Sequence, residues 1–216
     1  MLRIARPVLA AGLESGLELG EMLSMTLGDG APIEGCAFAA GDACGHQAPG
    51  VEFFGCRFVS CRLTGAFFNQ CYLRDCVFEH CDLSGARLMD GTVRRCLFDG
   101  CKLMGANFGG ASLEDVSFRG CGAAGAVFAD GIFKNVEFDR CHFQEASFSG
   151  IKARGAFELR GCMLAAADFF GTALKGQDLR DCDIEGIRVE GRELKGAVVT
   201  ALQACELARL LGVVIR

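Results

Sequence analysis

The sequence predicts an all-β solenoid whose coils have four sides and 20 residues, and two periods carry that expectation. The first period is five. Val51 to Gly155 divides without remainder into 21 five-residue units, among them Cys76-Val-Phe-Glu-His, Cys81-Asp-Leu-Ser-Gly and Ala106-Asn-Phe-Gly-Gly. The third residue is Phe in 12 units and Leu in 6, while the first is Cys in 9, Ala in 6, Gly in 2 and Val or Ile in the other 4. A large apolar residue and a small one two positions before it share one side of a chain whose side chains alternate. Five matches neither a helix nor a long strand, but it does match short straight edges separated by corners.

The second period is 20. Phe38, Phe58, Phe78, Phe98, Phe118 and Phe138 recur at that step. So do Cys61, Cys81, Cys101, Cys121 and Cys141, and Ala66, Ala86, Ala106, Ala126 and Ala146. Identity is sharper at 20 than at 5, so each coil has four edges and like stacks on like.

Residues 1–30 read as an N-terminal cap or a degenerate first coil. Pro7 can open a helix carrying Leu9, Leu13 and Leu17, yet Leu17, Leu19, Leu23, Met25 and Leu27 also alternate like a strand, and Leu13 falls in the frame of Ile33 and Phe53. The opening apolar run superficially resembles a signal peptide, but it ends at Glu14, far too soon for a membrane span. The solenoid then occupies 31–199. Between Gly41 and Gly50 its centres shrink to Ala43 and Ala48, so this weak coil is expected to bulge outward. Near Ala156 to Gly161 one residue is inserted, but the Cys141 ladder continues through Cys162 and Cys182, which reads as a local bulge. Residues 200–216 change character: Thr200 to Leu211 is rich in helix formers and stops at Gly212. Such a helix covers the last open coil, and its surplus apolar face can meet a second copy.

The repeat resembles the pentapeptide-repeat family, whose consensus is close to Ala-Asp/Asn-Leu-x-x and whose fold is a right-handed quadrilateral β-helix. The resemblance covers about 33–199. The tail is similar to that of the quinolone-resistance (Qnr) subgroup, through Leu194-Lys-Gly-Ala, Ala201 to Leu211, Gly212 and Val213-Val-Ile215. It implies a homodimer joined end to end, with Leu207, Leu210, Leu211 and Ile215 as contacts. It also implies a rod that imitates duplex DNA, binding DNA gyrase or topoisomerase IV and protecting it from poisons.

Composition bounds the rest. A solenoid of 216 residues is one cooperative rod, and its 30 Gly against 3 Pro suit a chain that turns a corner every few residues. The net charge of −5 argues against general affinity for nucleic acid or an anionic membrane. Of 14 cysteines, 12 (36, 56, 61, 71, 76, 81, 96, 101, 121, 141, 162 and 182) fall at the small inward position. Rungs about 4.8 Å apart make disulfides geometrically conceivable. Ladders in which Cys and Ala interchange nevertheless read as reduced packing thiols of a cytoplasmic protein.

No catalytic motif, cofactor site or metal set emerges. His46, His80 and His142 lie in separate units. His80 adjoins Cys76 and Cys81, but those thiols belong inside and a corner histidine outside. His46 with Cys44 is a weak nucleophile-and-base pair in the irregular coil. The aromatic ladders belong to the core, not to a base-stacking surface.

What remains is the surface. About 8 coils span roughly 40 Å at about 4.8 Å each, and duplex DNA of that length carries about 24 negative charges at one per ~1.7 Å. A net of −5 therefore excludes full-length mimicry and leaves a local patch. The expected patch is Asp168, Asp178, Asp181, Asp183 and Glu185 against Lys175 and Arg180, with a weaker rung of Glu79, Asp99 and Asp139 interrupted by Arg119. A rigid scaffold binding another protein through a side face is the alternative.

Overall fold

The computed structural model describes residues 2, 4–210 and 212–215. Each five-residue unit makes one face and one corner of a quadrilateral β-helix. Its first and third side chains point inward, and all such residues from Val51 to Phe148 are buried. In nearly every unit the fifth residue turns the corner with a positive φ, adopted among the described residues by 13 non-glycine residues as well as by glycines. We label the faces by their central residues: face I carries Leu63, Leu83 and Leu103; face II Phe68, Leu88 and Phe108; face III Phe53, Leu73 and Leu113; face IV Phe58, Phe78 and Phe98.

Faces III and IV carry the parallel ladders. On face III lie β1 (Ile33–Glu34), β3 (Glu52–Phe54) and β5 (Tyr72–Arg74), and on face IV β2 (Ala37–Ala39), β4 (Arg57–Val59) and β6 (Val77–Glu79). Three longer strands, β7 (Thr92–Asp99), β8 (Ser112–Arg119) and β9 (Ile132–Asp139), run across both. β10 (Lys152–Ala153) and β11 (Phe157–Arg160) follow. Faces I and II are held by single bridges, such as Arg62 to Asp82 and Phe67 to Arg87.

The register is that of the sequence ladders. Phe58 pairs with Phe78 and Phe78 with Phe98, their rings stacked at 4.5 and 4.8 Å and nearly parallel. Rings from adjoining faces meet edge-on, as Phe118 and Phe128 do at 5.7 Å and 83°. Both arrangements suit the ring quadrupole and add about 0.5–1.5 kcal/mol per pair beyond burial.

The N-terminal end departs from the expected pattern. Neither a helix from Pro7 nor a strand through Leu17 to Leu27 forms. Instead α1 spans Leu19–Asp29 and closes at Gly30, whose φ is 67°. The coil at 41–50 does not bulge: Asp42 bridges Arg62, Gln47 bridges Phe67, and Ala43 and Ala48 are buried. Its small centres instead leave volume that α1 fills. Leu19 and Leu23 are fully buried, and a β-carbon on Gly41 would sit 3.0 Å from the Leu19 Cβ. Leu13 does not enter the coil frame either, because Glu14 bridges Cys36. The preceding residues form a strap along the corner between faces III and IV. The Val8 N–H donates to Asp75 Oδ1 at 3.1 Å and the Ala5 N–H to Asp115 Oδ1 at 3.4 Å.

The inserted residue shows as a register change. Ala153 still pairs with Phe133, 20 residues back, but Phe157 pairs with Val136, 21 back. Residues 152–156 are exposed, although Lys152 and Ala153 keep their pairing with β9. At the C-terminal end α2 (Ala201–Leu210) caps the rod. Thr200 Oγ1 accepts from the Gln203 N–H and Gln203 Oε1 from the Thr200 N–H, a reciprocal capping box. Gln203 Nε2 then donates to the Leu179 and Cys182 carbonyls of the last coil, each at 2.8 Å.

Candidate functional site

The interior offers little chemistry. All 12 ladder thiols are buried and unbridged, and most donate to the carbonyl of a central residue one coil back, as Cys81 does to Phe58 at 3.4 Å and Cys101 to Phe78 at 3.4 Å. Burial pushes Cys56, Cys71 and Cys182 up to about 12 and Cys162 to about 11. A thiol must ionise to act as nucleophile or metal ligand, and these four are held protonated. Cys44 is exposed, with its N–H on Asp42 Oδ1. His46 turns not to Cys44 but to Ser24 of α1, 3.3 Å from its Oγ. His80 lies on the corner against Gly100, while Cys76 and Cys81 stay inside. Among the described residues no group of His, Cys, Asp and Glu could hold a metal ion. Among the described residues no helix is long and apolar enough to cross a membrane.

The expected acidic patch is not one surface. Because each five-residue step moves to the next face, neighbours in sequence separate in space. Asp168 bridges Ser147 and Arg188 on face II, Asp178 bridges Val198 on face IV, and Asp183 bridges Met163 on face I. Arg180 already holds Asp178 at 2.6 Å and keeps its carboxyl down to about 2. Three exposed carboxylates remain without a salt bridge among the described residues: Asp181 at the corner between faces IV and I, and Asp183 and Glu185 along face I. The weaker rung does form a ladder on face IV, Glu79 beside Asp99 and Asp139 beside Arg119. It is largely compensated, however: Arg57 reaches Glu79 at 2.7 Å and Arg140 reaches Asp139 at 2.9 Å. Beside it Arg119 and Arg160 share Glu137.

The inward first and third residues, four faces per coil and a corner every fifth residue are what the repeat requires. A family model described as "Pentapeptide repeat region" matches residues 51–128 and 91–156. This chain is a pentapeptide-repeat protein. Solved structures of similar fold include trypsin-treated QnrB1, a plasmid-mediated fluoroquinolone resistance protein, at 22% identity with TM-score 0.41, covering 87% of this chain and 91% of that one. A pentapeptide repeat protein from the Arabidopsis thaliana thylakoid lumen shows 23% identity and TM-score 0.43, covering 46% and 70%. HetL of the cyanobacterium Nostoc, involved in heterocyst differentiation regulation, shows 14% identity and TM-score 0.24, covering 84% and 94%. No curated protein sequence matches significantly.

The tail of this pentapeptide-repeat rod divides its apolar residues. Leu207 is buried against the rod's own last coils, so it is not available to a second copy. Leu210 and Ile215 are exposed, beside Leu202, Val213 and Val214. Leu211 lies outside the described residues.

One feature of the pentapeptide-repeat ladder was not anticipated. The coil at 151–171 and the next one at 172–191 are bonded on faces I and II, where the Leu164 N–H meets the Asp183 carbonyl at 2.7 Å and the Phe169 N–H meets the Arg188 carbonyl at 3.0 Å. On faces III and IV no backbone hydrogen bond joins residues 151–161 to 172–181 among the described residues. Side chains fill in. Thr172 Oγ1 accepts from the Ile151 N–H and donates to the Phe148 carbonyl, and Gln177 Nε2 donates to the Phe157 carbonyl at 2.5 Å. The expected local bulge is thus a seam across two faces. Its signal in the sequence is two polar residues, Thr172 and Gln177, at first positions held by Cys, Ala, Gly, Val or Ile throughout 51–155.

Proposed function

We propose that the protein is a non-enzymatic rod that binds DNA gyrase or topoisomerase IV through its C-terminal end and protects it from quinolones or a natural gyrase poison. The partner is taken from the Qnr-like tail. The observation that carries the contact is that Asp181, Asp183 and Glu185 are exposed and make no salt bridge among the described residues, while nearby Asp178 and Glu137 are ion-paired. Three such carboxylates can stand for a short run of phosphates, which is the scale of mimicry a chain of net −5 allows. In a homodimer joined through Leu210 and Ile215, two such sets flank the centre. The reduced ladder thiols suit a cytoplasmic protein.

A supercoiling assay with purified gyrase, with and without a fluoroquinolone, tests this reading. The rod should restore supercoiling in the presence of drug, and D181N/D183N/E185Q should lose the rescue while remaining folded. Neither rescue nor inhibition by the parent protein would discard the topoisomerase reading. A second reading, a rigid scaffold for another protein, is favoured by the neutralised ladder of face IV. Alternating charges along a straight face suit a specific protein partner better than a nucleic-acid competitor.

A further inference from the structure

We propose that the seam on faces III and IV is a β-strand addition site for an extended, acidic segment of another protein. This goes beyond the topoisomerase reading and does not depend on it.

The backbone supplies the first argument. In unbroken coils the central N–H points to the next coil, as Leu63 does to Asp82, and the second N–H of the following coil points back, as Asp82 does to Cys61. At the seam the equivalent N–H groups of Leu159, Gly161 and Asp178 have no hydrogen-bond partner among the described residues. β11 therefore presents unpaired N–H groups along a parallel edge inside an otherwise continuous ladder, with Gln177 on its Phe157 carbonyl. An unpaired strand edge is a template for pairing with another chain.

Space and charge supply the other two. On face IV a cleft of about 350 Å³ lies between Glu158, Leu159 and Arg160 on one coil and Gly176, Gln177 and Asp178 on the next, and a second of about 420 Å³ is lined by Arg160, Asp178, Arg180 and Asp181, so the charges there are mixed. The ladder thiol below it is stretched, with Cys182 3.8 Å from the Leu159 carbonyl. On face III, Lys152 and Arg154 lie above the seam and Lys175 below it, all exposed and without an ion pair among the described residues. A strand laid along the seam projects every second side chain outward. On face III those side chains pass between Arg154 and Lys175, so acidic ones complement the site. Duplex nucleic acid does not fit. It offers no strand-spaced backbone partners.

The test combines amide exchange by NMR with peptide binding by fluorescence anisotropy. The probe is a blocked octapeptide of alternating Glu and Val. In the free protein the Leu159, Gly161 and Asp178 amides should exchange about 100-fold faster than those of Leu164 and Phe169, which bond across the same coil step. The peptide should slow them. A Lys/Val peptide, a backbone N-methylated Glu/Val peptide, and the R154E/K175E variant with the parent peptide should each bind at least about tenfold more weakly. Equal protection of all five amides in the free protein would overturn the proposal. So would absence of Glu/Val binding, or N-methylated peptide binding as tightly as its parent.

Discussion

His80 lies across Gly100: a β-carbon on Gly100 would sit 2.5 Å from the His80 Nδ1. The same column continues to Gly120, where an added β-carbon meets nothing within 4 Å, and then to Arg140, whose Cγ would lie 3.2 Å from a β-carbon on Gly161. A long corner side chain leans on the next coil, and glycine there leaves room for it. Positive φ alone does not demand glycine in this rod, since Ser60, Asp75 and Asn135 adopt it.

That relationship separates two costs. G120A should lose about 1 kcal/mol for the left-handed conformation. G100A should lose about 1–3 kcal/mol more, because the imidazole must move. H80A in the G100A background should recover the second part only. Urea unfolding of the four proteins checks it, and equal losses for G100A and G120A would refute the contact.

The ladder thiols predict steep alkaline unfolding. Unfolded thiols ionise near their ordinary value of 9.0, whereas Cys56, Cys71 and Cys182 in the fold are pushed up to about 12. The folded state therefore holds more protons above pH 9, and stability falls as pH rises from about 9 toward 12. Each such thiol contributes a slope of about 1.4 kcal/mol per pH unit. Three together rival a typical total stability of about 5–15 kcal/mol within two or three units. Thermal melts from pH 8 to 11 should show the decline. Titration of the native protein with a thiol reagent at pH 8 should modify Cys44 readily and leave the ladder untouched.

α1 should be indispensable to the first coils. Leu19 is fully buried over a coil whose centres are Ala43 and Ala48, so L19A opens a void with nothing to collapse into it. A loss of about 2–5 kcal/mol is expected. Amide exchange should localise it to residues 33–60, with the coils beyond Phe98 unchanged.

The tail separates folding from association. L210D and I215D replace exposed residues and should convert the proposed dimer to a folded monomer, read by light scattering. L207D places a charge in the rod's own core and should unfold the cap instead. A parent protein that is monomeric at 100 µM would remove the dimer.

The fold was legible because the repeat is enforced at every coil: the Phe38 to Phe138 ladder is written in the sequence and stacks ring on ring. α1 was not, since Leu17 to Leu27 satisfies a strand pattern as well as a helical one, and the choice is made by the volume above Ala43 and Ala48. The acidic group was only half legible. Asp178 and Asp183 are five residues apart in the chain, yet one step of the repeat carries them to different faces. The seam was legible only through Thr172 and Gln177, whose polarity matters once the ladder bonds they replace are known.

The strap at the N-terminal end has a consequence for how the molecule is built. The Val8 and Ala5 amides find their acceptors on Asp75 and Asp115, which belong to coils two steps apart. Coils can stack one by one as a nascent chain lengthens, but the strap has no complete seat until Asp115 has been delivered. Residues synthesised ahead of the coils are thus among the later ones to come to rest, and their docking reports that several coils already stand in register beneath them.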